Sequence, residues 1–214
     1  MFNTFIFDFD LTLADSSKGI LICFKHTLET FGYEVPDDIF IFNTIGLTLE
    51  DAFTVLTGVT DTDIKARMRK CYASKADEVM AKNTHFYEGV IDVLKSLKEN
   101  KFNVGIVSTK YRYRIIENFK MIADFTPDFI VGGEDVTFHK PNPFGLNFII
   151  KKLDVDKSQV LYIGDSYIDA QTAENSGVAF AGVLTGSTSR EEFTKFKCAY
   201  IEENVPQLFN KNFK

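Results

Sequence analysis

Five short apolar runs recur along the chain, at Phe5–Phe9, Val104–Val107, Phe129–Val131, Val160–Ile163 and Val178–Val183. A strand with one wet face alternates apolar and polar side chains. Runs with almost no polar member belong instead to strands covered on both faces, as in a parallel sheet. Helical patterns lie between them. Val90, Val93, Leu94 and Leu97 share one face after Gly89, and Pro143–Leu153 and Ala170–Asn175 follow, the latter stopped by Gly177. Strands alternating with helices predict βαβ units and an α/β fold, a Rossmann-like doubly wound parallel sheet.

One interval breaks the alternation. From Ser17 to Phe86 the patterns are helical throughout: Ile20, Cys23, Phe24, Thr27, Leu28 and Phe31 keep one period, closed by Gly32, and Leu49–Leu56 and Ile64–Met80 repeat the type. The expected organisation is therefore a core of residues 1–16 and 87–214 with an inserted all-helical cap domain at 17–86. An insertion placed directly after a strand overhangs the carboxyl edge of the sheet, where such folds bind ligands.

Polar clusters follow the apolar runs: Asp8, Asp10 and Thr12; Ser108, Thr109 and Lys110; the isolated Lys140; and Gly164, Asp165 and Ser166 with Asp169. In a parallel sheet all four gather at one edge. A carboxylate at the margin of a hydrophobic layer is costly to ionise unless compensated. Asp8, Asp165 and Asp169 offer hard oxygen donors with no soft ligand nearby, a set that suits Mg²⁺. Lys140 adds a fixed positive charge and Ser108 a hydroxyl, an environment for the equatorial oxygens of a phosphoryl group in transfer. Asp8, nearest the rigid strand, is the expected nucleophile and Asp10 the expected general acid and base. Lys110 is placed either to reach substrate or to face solvent, while Arg112 and Arg114 are expected on a solvated helix face.

Charge and composition set the partners. The 214 residues carry a formal net charge of −6 with no basic stripe, which argues against nucleic acid, although a few local cations suffice for a phosphorylated metabolite. No run approaches membrane-spanning length, and the N-terminus lacks the pattern of a signal peptide, so the cytoplasm is expected. Cys23, Cys71 and Cys198 are odd in number and far apart, as expected of small buried side chains in a reducing compartment. Monomer and homodimer are both compatible with these features.

FDFDLTLADS, VST, the lysine of KPNP and GDSYID resemble, in order, the four motifs of the haloacid dehalogenase superfamily. The spacing is similar to that of its phosphatases with a helical cap between the first two motifs. The resemblance implies Asp8 as nucleophile, Asp10 as general acid and base, Ser108 and Lys140 as phosphate holders, and Asp165 as a magnesium ligand. It also implies that the Asp10 backbone carbonyl ligates the ion and that Asp169 stands behind it or binds through water. Thr12 and Thr109 join the expected phosphate-binding residues, and Gly46 marks a specificity turn in the cap. Within the superfamily the phosphoglycolate phosphatase branch is the nearest likeness, through IGLTLEDAF, FYEGV, GIVSTK and GDSYIDAQTAENSGV. Leu11 stands where that branch usually has glycine, Thr109 where it has asparagine, and Thr84-His85-Phe86 replaces a proline-rich approach.

Rival readings diverge at named residues. A dehalogenase resembles DxY where this chain has Asp10. A β-phosphoglucomutase-like phosphotransferase places a cap histidine at the position of Ile20 and an acid at that of Gly164. An inorganic pyrophosphatase of the same fold differs only in its leaving group. A non-enzymatic phosphate receiver has no helical insertion and needs no second carboxylate to activate water.

Overall fold

The computed structural model describes residues 2–122 and 125–213. The chain forms two compact units, residues 1–14 with 86–214 and residues 15–85. In the first, β1 (Thr4–Phe7), β4 (Asn103–Val107), β5 (Phe129–Val131), β6 (Val160–Gly164), β7 (Ala179–Val183) and β8 (Cys198–Glu202) form one sheet in the order β5-β4-β1-β6-β7-β8. Every neighbouring pair is parallel.

Alternation along the strands sends side chains to two apolar layers. Phe5, Phe7, Leu161 and Ile163 pack with α5 (Val90–Glu99), α6 (Arg112–Ile122) and α10 (Val205–Asn212) on one face. Ile6, Val107, Val160 and Tyr162 pack with α7 (Phe144–Leu153), α8 (Tyr167–Ser176) and α9 (Arg190–Phe193) on the other. Buried phenylalanines fill much of this core, while Phe138, Phe144 and Phe148 are exposed; Phe5 alone meets the rings of Phe102, Phe209 and Phe213 at 5.6, 5.1 and 5.3 Å between centroids.

Strand order fixes where a ligand can sit. The chain runs outward from β1 to β4 and β5, then returns to lay β6 on the other side of β1. The reversal opens a crevice at the carboxyl end of β1.

The second unit holds α1 (Ser17–Thr30), α2 (Asp38–Phe42), α3 (Leu49–Thr57) and α4 (Thr62–Val79). Its core centres on Phe24, whose ring lies 5.5 Å from Phe53 and 4.9 Å from Tyr72. The side chains of Asp37, Thr48 and Asp61 cap the starts of α2, α3 and α4. Two short strands, β2 (Ala14–Asp15) and β3 (His85–Phe86), pair where the chain leaves and rejoins the sheet-bearing unit.

Four expectations need adjustment. The first strand ends at Phe7, because the chain turns into a tight loop after Asp8. The sheet gains β8, and α8 begins at Tyr167, three residues before its sequence pattern. Arg114, expected in solvent, is buried on α6, its guanidinium over the Tyr113 ring at 5.0 Å, whereas Arg112 is exposed.

Candidate active site

The sheet register builds the site. Phe7 lies opposite Ile106 on one side and Ile163 on the other, so the residues after these three strands share an edge. Asp8 still donates its N–H to the Ile163 carbonyl at 2.9 Å, and Ser108 donates its own to Val131 at 3.0 Å. Both side chains begin on rigid, sheet-bonded backbone and both are buried.

Beyond Asp8 the chain turns sharply. The Phe9 carbonyl collects the N–H groups of Leu13 and Ala14 at 2.9 and 3.2 Å. Leu11 adopts φ 61°, the left-handed region that costs an L-residue roughly 1–2 kcal/mol. A turn that suits glycine has kept its conformation with leucine in it. Two hydrogen bonds fix that backbone: Leu11 N–H to the Ala14 carbonyl at 2.7 Å, and the Thr185 hydroxyl to the Leu11 carbonyl at 2.5 Å.

Lys140, in the segment after β5, brings a buried ammonium to the acids. It lies 3.0 Å from Asp8 Oδ2, 2.7 Å from Asp169 Oδ1 and 3.4 Å from the Tyr162 hydroxyl. Asp165 follows directly on β6, and its Oδ1 accepts from the Thr12 hydroxyl at 2.8 Å. Asp169 belongs to the first turn of α8, where it and Ser166 form a reciprocal cap. Its Oδ2 accepts from the Ser166 hydroxyl and N–H at 2.5 and 3.2 Å, and its Oδ1 from Lys140 and from the Tyr162 hydroxyl at 2.8 Å. One carboxylate thus both caps the helix and binds the buried ammonium.

Two glycines let these groups approach. A Cβ on Gly164 would lie 2.4 Å from the Asp169 side chain, and one on Gly186 only 1.9 Å from Asp165 Oδ2. Neither position has room for a larger residue without moving a carboxylate.

The electrostatics are unbalanced. Asp8, Asp165 and Asp169 bring carboxylate oxygens within 4.8 Å of one another, all buried, with Lys140 the ammonium bonded among them. Burial raises the Asp8 pKa from 3.8 to about 6, with Lys140 opposing and Asp169 reinforcing the rise. Burial, then Asp169 and Asp8, push Asp165 well above the usual carboxylate range. Burial would lower Lys140, yet Asp169 and Asp8 outweigh it and hold the ammonium above the ordinary lysine range. Tyr162 is likewise pushed up, by burial and then Asp169, so its hydroxyl stays protonated. Asp8 Oδ1 is buried with no hydrogen-bond partner among the described residues, a costly condition. An unpartnered anionic oxygen among surplus carboxylates fits a divalent cation with a preference for oxygen.

The remaining expected residues divide. The Lys110 ammonium, named above as a candidate substrate contact, bonds Asp10 Oδ1 at 2.8 Å and lies 5.6 Å from the centre of the Phe9 ring. Thr12, expected to hold phosphate, is fully buried with its hydroxyl on Asp165. Thr109 turns its carbonyl towards Gly133, where a Cβ would come within 2.4 Å. Gly46 lies in the helical unit at φ 102°, a conformation that favours glycine. Sequence reasoning missed Tyr162, Thr185 and Gly186. Tyr162 reads as one more apolar residue of a buried strand, and LTGSTS reads as an ordinary turn.

Comparison with known proteins agrees with this geometry. The family model described as haloacid dehalogenase-like hydrolase matches residues 5–183. Pyrophosphatase PpaX of Bacillus pumilus is 30% identical over 210 residues, covering 96% of this chain and 94% of that protein. The crystal structure of a haloacid dehalogenase-like hydrolase from Bacteroides fragilis superimposes with a TM-score of 0.95 at 44% identity, covering 97% of this chain and 100% of that one. A structure described as a phosphoglycolate phosphatase from Haemophilus somnus shares the fold, with a TM-score of 0.88 at 18% identity over 98% of this chain and 97% of its own. With the family model matched over most of its length, the chain belongs to the haloacid dehalogenase-like hydrolases.

Proposed function

We propose that the protein is a Mg²⁺-dependent phosphatase that hydrolyses a small phosphomonoester, phosphoglycolate being the first candidate, through an aspartyl phosphate on Asp8. The observation that carries this reading is Asp8 itself: a sheet-anchored carboxylate with one oxygen on Lys140 and the other buried without a hydrogen-bond partner among the described residues. Asp8, Asp165 and the Asp10 backbone carbonyl would hold the ion. Asp169 already receives four hydrogen bonds from Lys140, Tyr162 and Ser166, which suits support from behind rather than direct ligation. When bound, Mg²⁺ supplies neutralisation of the surplus carboxylates and polarisation of a phosphoryl oxygen.

Asp8 attacks phosphorus; its bond to phosphorus forms as the bond to the leaving oxygen breaks, and Asp10 passes a proton to that oxygen. Lys140 and the Ser108 hydroxyl stabilise the phosphoryl oxygens, with Thr109 beside them. Asp10 then takes a proton from water, which attacks phosphorus and frees both phosphate and Asp8. Lys110 holds the Asp10 carboxylate in place between the two steps. The inserted helical segment, 17–86, is assigned the part of a cap that selects the leaving group, with Gly46 in its specificity turn. The cytoplasm, where Cys23, Cys71 and Cys198 stay reduced, is the proposed location.

A second reading has its own support: the relative from Bacillus pumilus is named a pyrophosphatase, so inorganic pyrophosphate joins the candidates. Turnover of an aryl phosphate, phosphoglycolate and pyrophosphate, each with and without Mg²⁺, tests both. Release of phosphate from none of them with the ion present rejects the enzyme reading in favour of a phosphate receiver.

A further inference from the structure

Tyr162 takes no part in the steps above, yet its hydroxyl stands among the groups that do. The residue is fully buried on the β6 face that packs against α7 and α8, with its ring 6.2 Å from that of Phe180. Phenylalanine would fill the same apolar space. The hydroxyl is an added polar group, tolerated there only because it is bonded. It donates to Asp169 Oδ1 at 2.8 Å, with the Val107 carbonyl further off at 3.4 Å, and accepts from Lys140 at 3.4 Å.

The distribution of protons gives this contact its consequence. An ammonium has three N–H groups, and Lys140 meets three acceptors: Asp8, Asp169 and Tyr162. Asp169 Oδ1 draws on two donors, Lys140 and the hydroxyl. Without the hydroxyl this buried oxygen would rely on the ammonium alone, while the ammonium would lose its third acceptor. Both changes pull Lys140 towards Asp169 and off Asp8.

We propose that Tyr162 is a positioning residue, which shares Asp169 Oδ1 with Lys140 and thereby keeps the lysine ammonium on Asp8, where the phosphoryl group arrives. The assignment rests on the phosphatase reading and goes beyond it, because it gives a task to a residue outside the four motifs.

Tyr162→Phe tests it with little change of volume. Turnover of an aryl phosphate with saturating Mg²⁺ gives kcat and KM, thermal unfolding reports stability, and a crystal structure of the metal-free variant reports the distance from Lys140 to Asp8. The expected result is a kcat lower by about tenfold, in the range seen when a supporting hydrogen bond is removed. KM changes less than kcat, the fold is retained, and the Lys140 ammonium moves beyond hydrogen-bond distance of Asp8. An unmoved lysine overturns the proposal whatever the rate does, and so does an undiminished kcat despite a moved lysine. If the native protein shows no turnover, the phosphatase reading fails by itself, and the lysine position alone decides the positioning role.

Discussion

Removing divalent ions with a chelator and raising the pH should destabilise the protein through Asp8. Its carboxyl has a pKa of about 6 in the fold against 3.8 for the free side chain, chiefly because it is buried. A raised acid pKa means that the folded chain binds the proton more tightly than the unfolded one. Between about pH 4 and about pH 6 the folded state therefore holds more protons, and stability falls as pH rises until Asp8 is ionised in both states. A rise of about two pKa units corresponds to roughly 3 kcal/mol, or about 6–12 °C in Tm at 2–4 °C per kcal/mol for a chain of this size. Asp165, shifted in the same direction, adds to the fall. Asp8→Asn isolates the effect, since its side chain does not titrate. The assay is thermal unfolding of native protein and variant in chelator from about pH 4.5 to about pH 7.5, a range that extends past the ionisation of folded Asp8. Relative to the variant, the native protein should lose most of that Tm across the window, and Mg²⁺ should restore it at the upper end while doing little at the lower. A difference between the two proteins that stays constant with pH would refute the argument that ionised Asp8 is uncompensated without the ion.

Further outcomes follow from single contacts. Asp8→Asn should abolish phosphate release, and near-native rates would remove Asp8 as nucleophile. Gly186→Ala should drive Asp165 from its place, since the new Cβ would meet Oδ2 at 1.9 Å; thermal shift should then show no stabilisation by Mg²⁺, and an unchanged shift would contradict the role of Asp165. Lys140→Ala leaves Asp8 and Asp169 without their ammonium and should cost about 3–5 kcal/mol in urea unfolding, as removal of one partner from a buried pair does. Leu11→Gly relieves about 1–2 kcal/mol of left-handed strain but removes a side chain only 2% exposed, worth about 2–5 kcal/mol. The net should be a loss of stability, and a gain would show that the strain dominates.

The sheet core was legible because strands covered on both faces admit few polar side chains, and those that followed them stood out. Asp8, Asp165 and Lys140 stand at such places, and parallel topology brings them to one edge. β8 escaped notice because CAYIE sits at the edge of the sheet, partly exposed, without a solid apolar run. On α6 it was burial that went unread: its charged start reads as solvated, although Arg114 and Ile115 are buried together. Chemistry carried by an apolar-looking residue leaves less trace. A tyrosine within VLYIG gives no sign that its hydroxyl reaches Asp169, and the partners of Thr12 and Lys110 depend on side-chain directions that spacing does not specify.

Asp169 has a consequence for how this protein can vary. Because one carboxylate both caps the first turn of α8 and anchors Lys140, any replacement must satisfy a folding requirement and a charge requirement together. Asparagine could still cap the helix but would leave the lysine short of a counter-ion, and glutamate would keep the charge but overreach the turn. Local helix formation and placement of the Lys140 ammonium are thus coupled through one side chain, and fraying at that helix start would release the lysine before the protein unfolds.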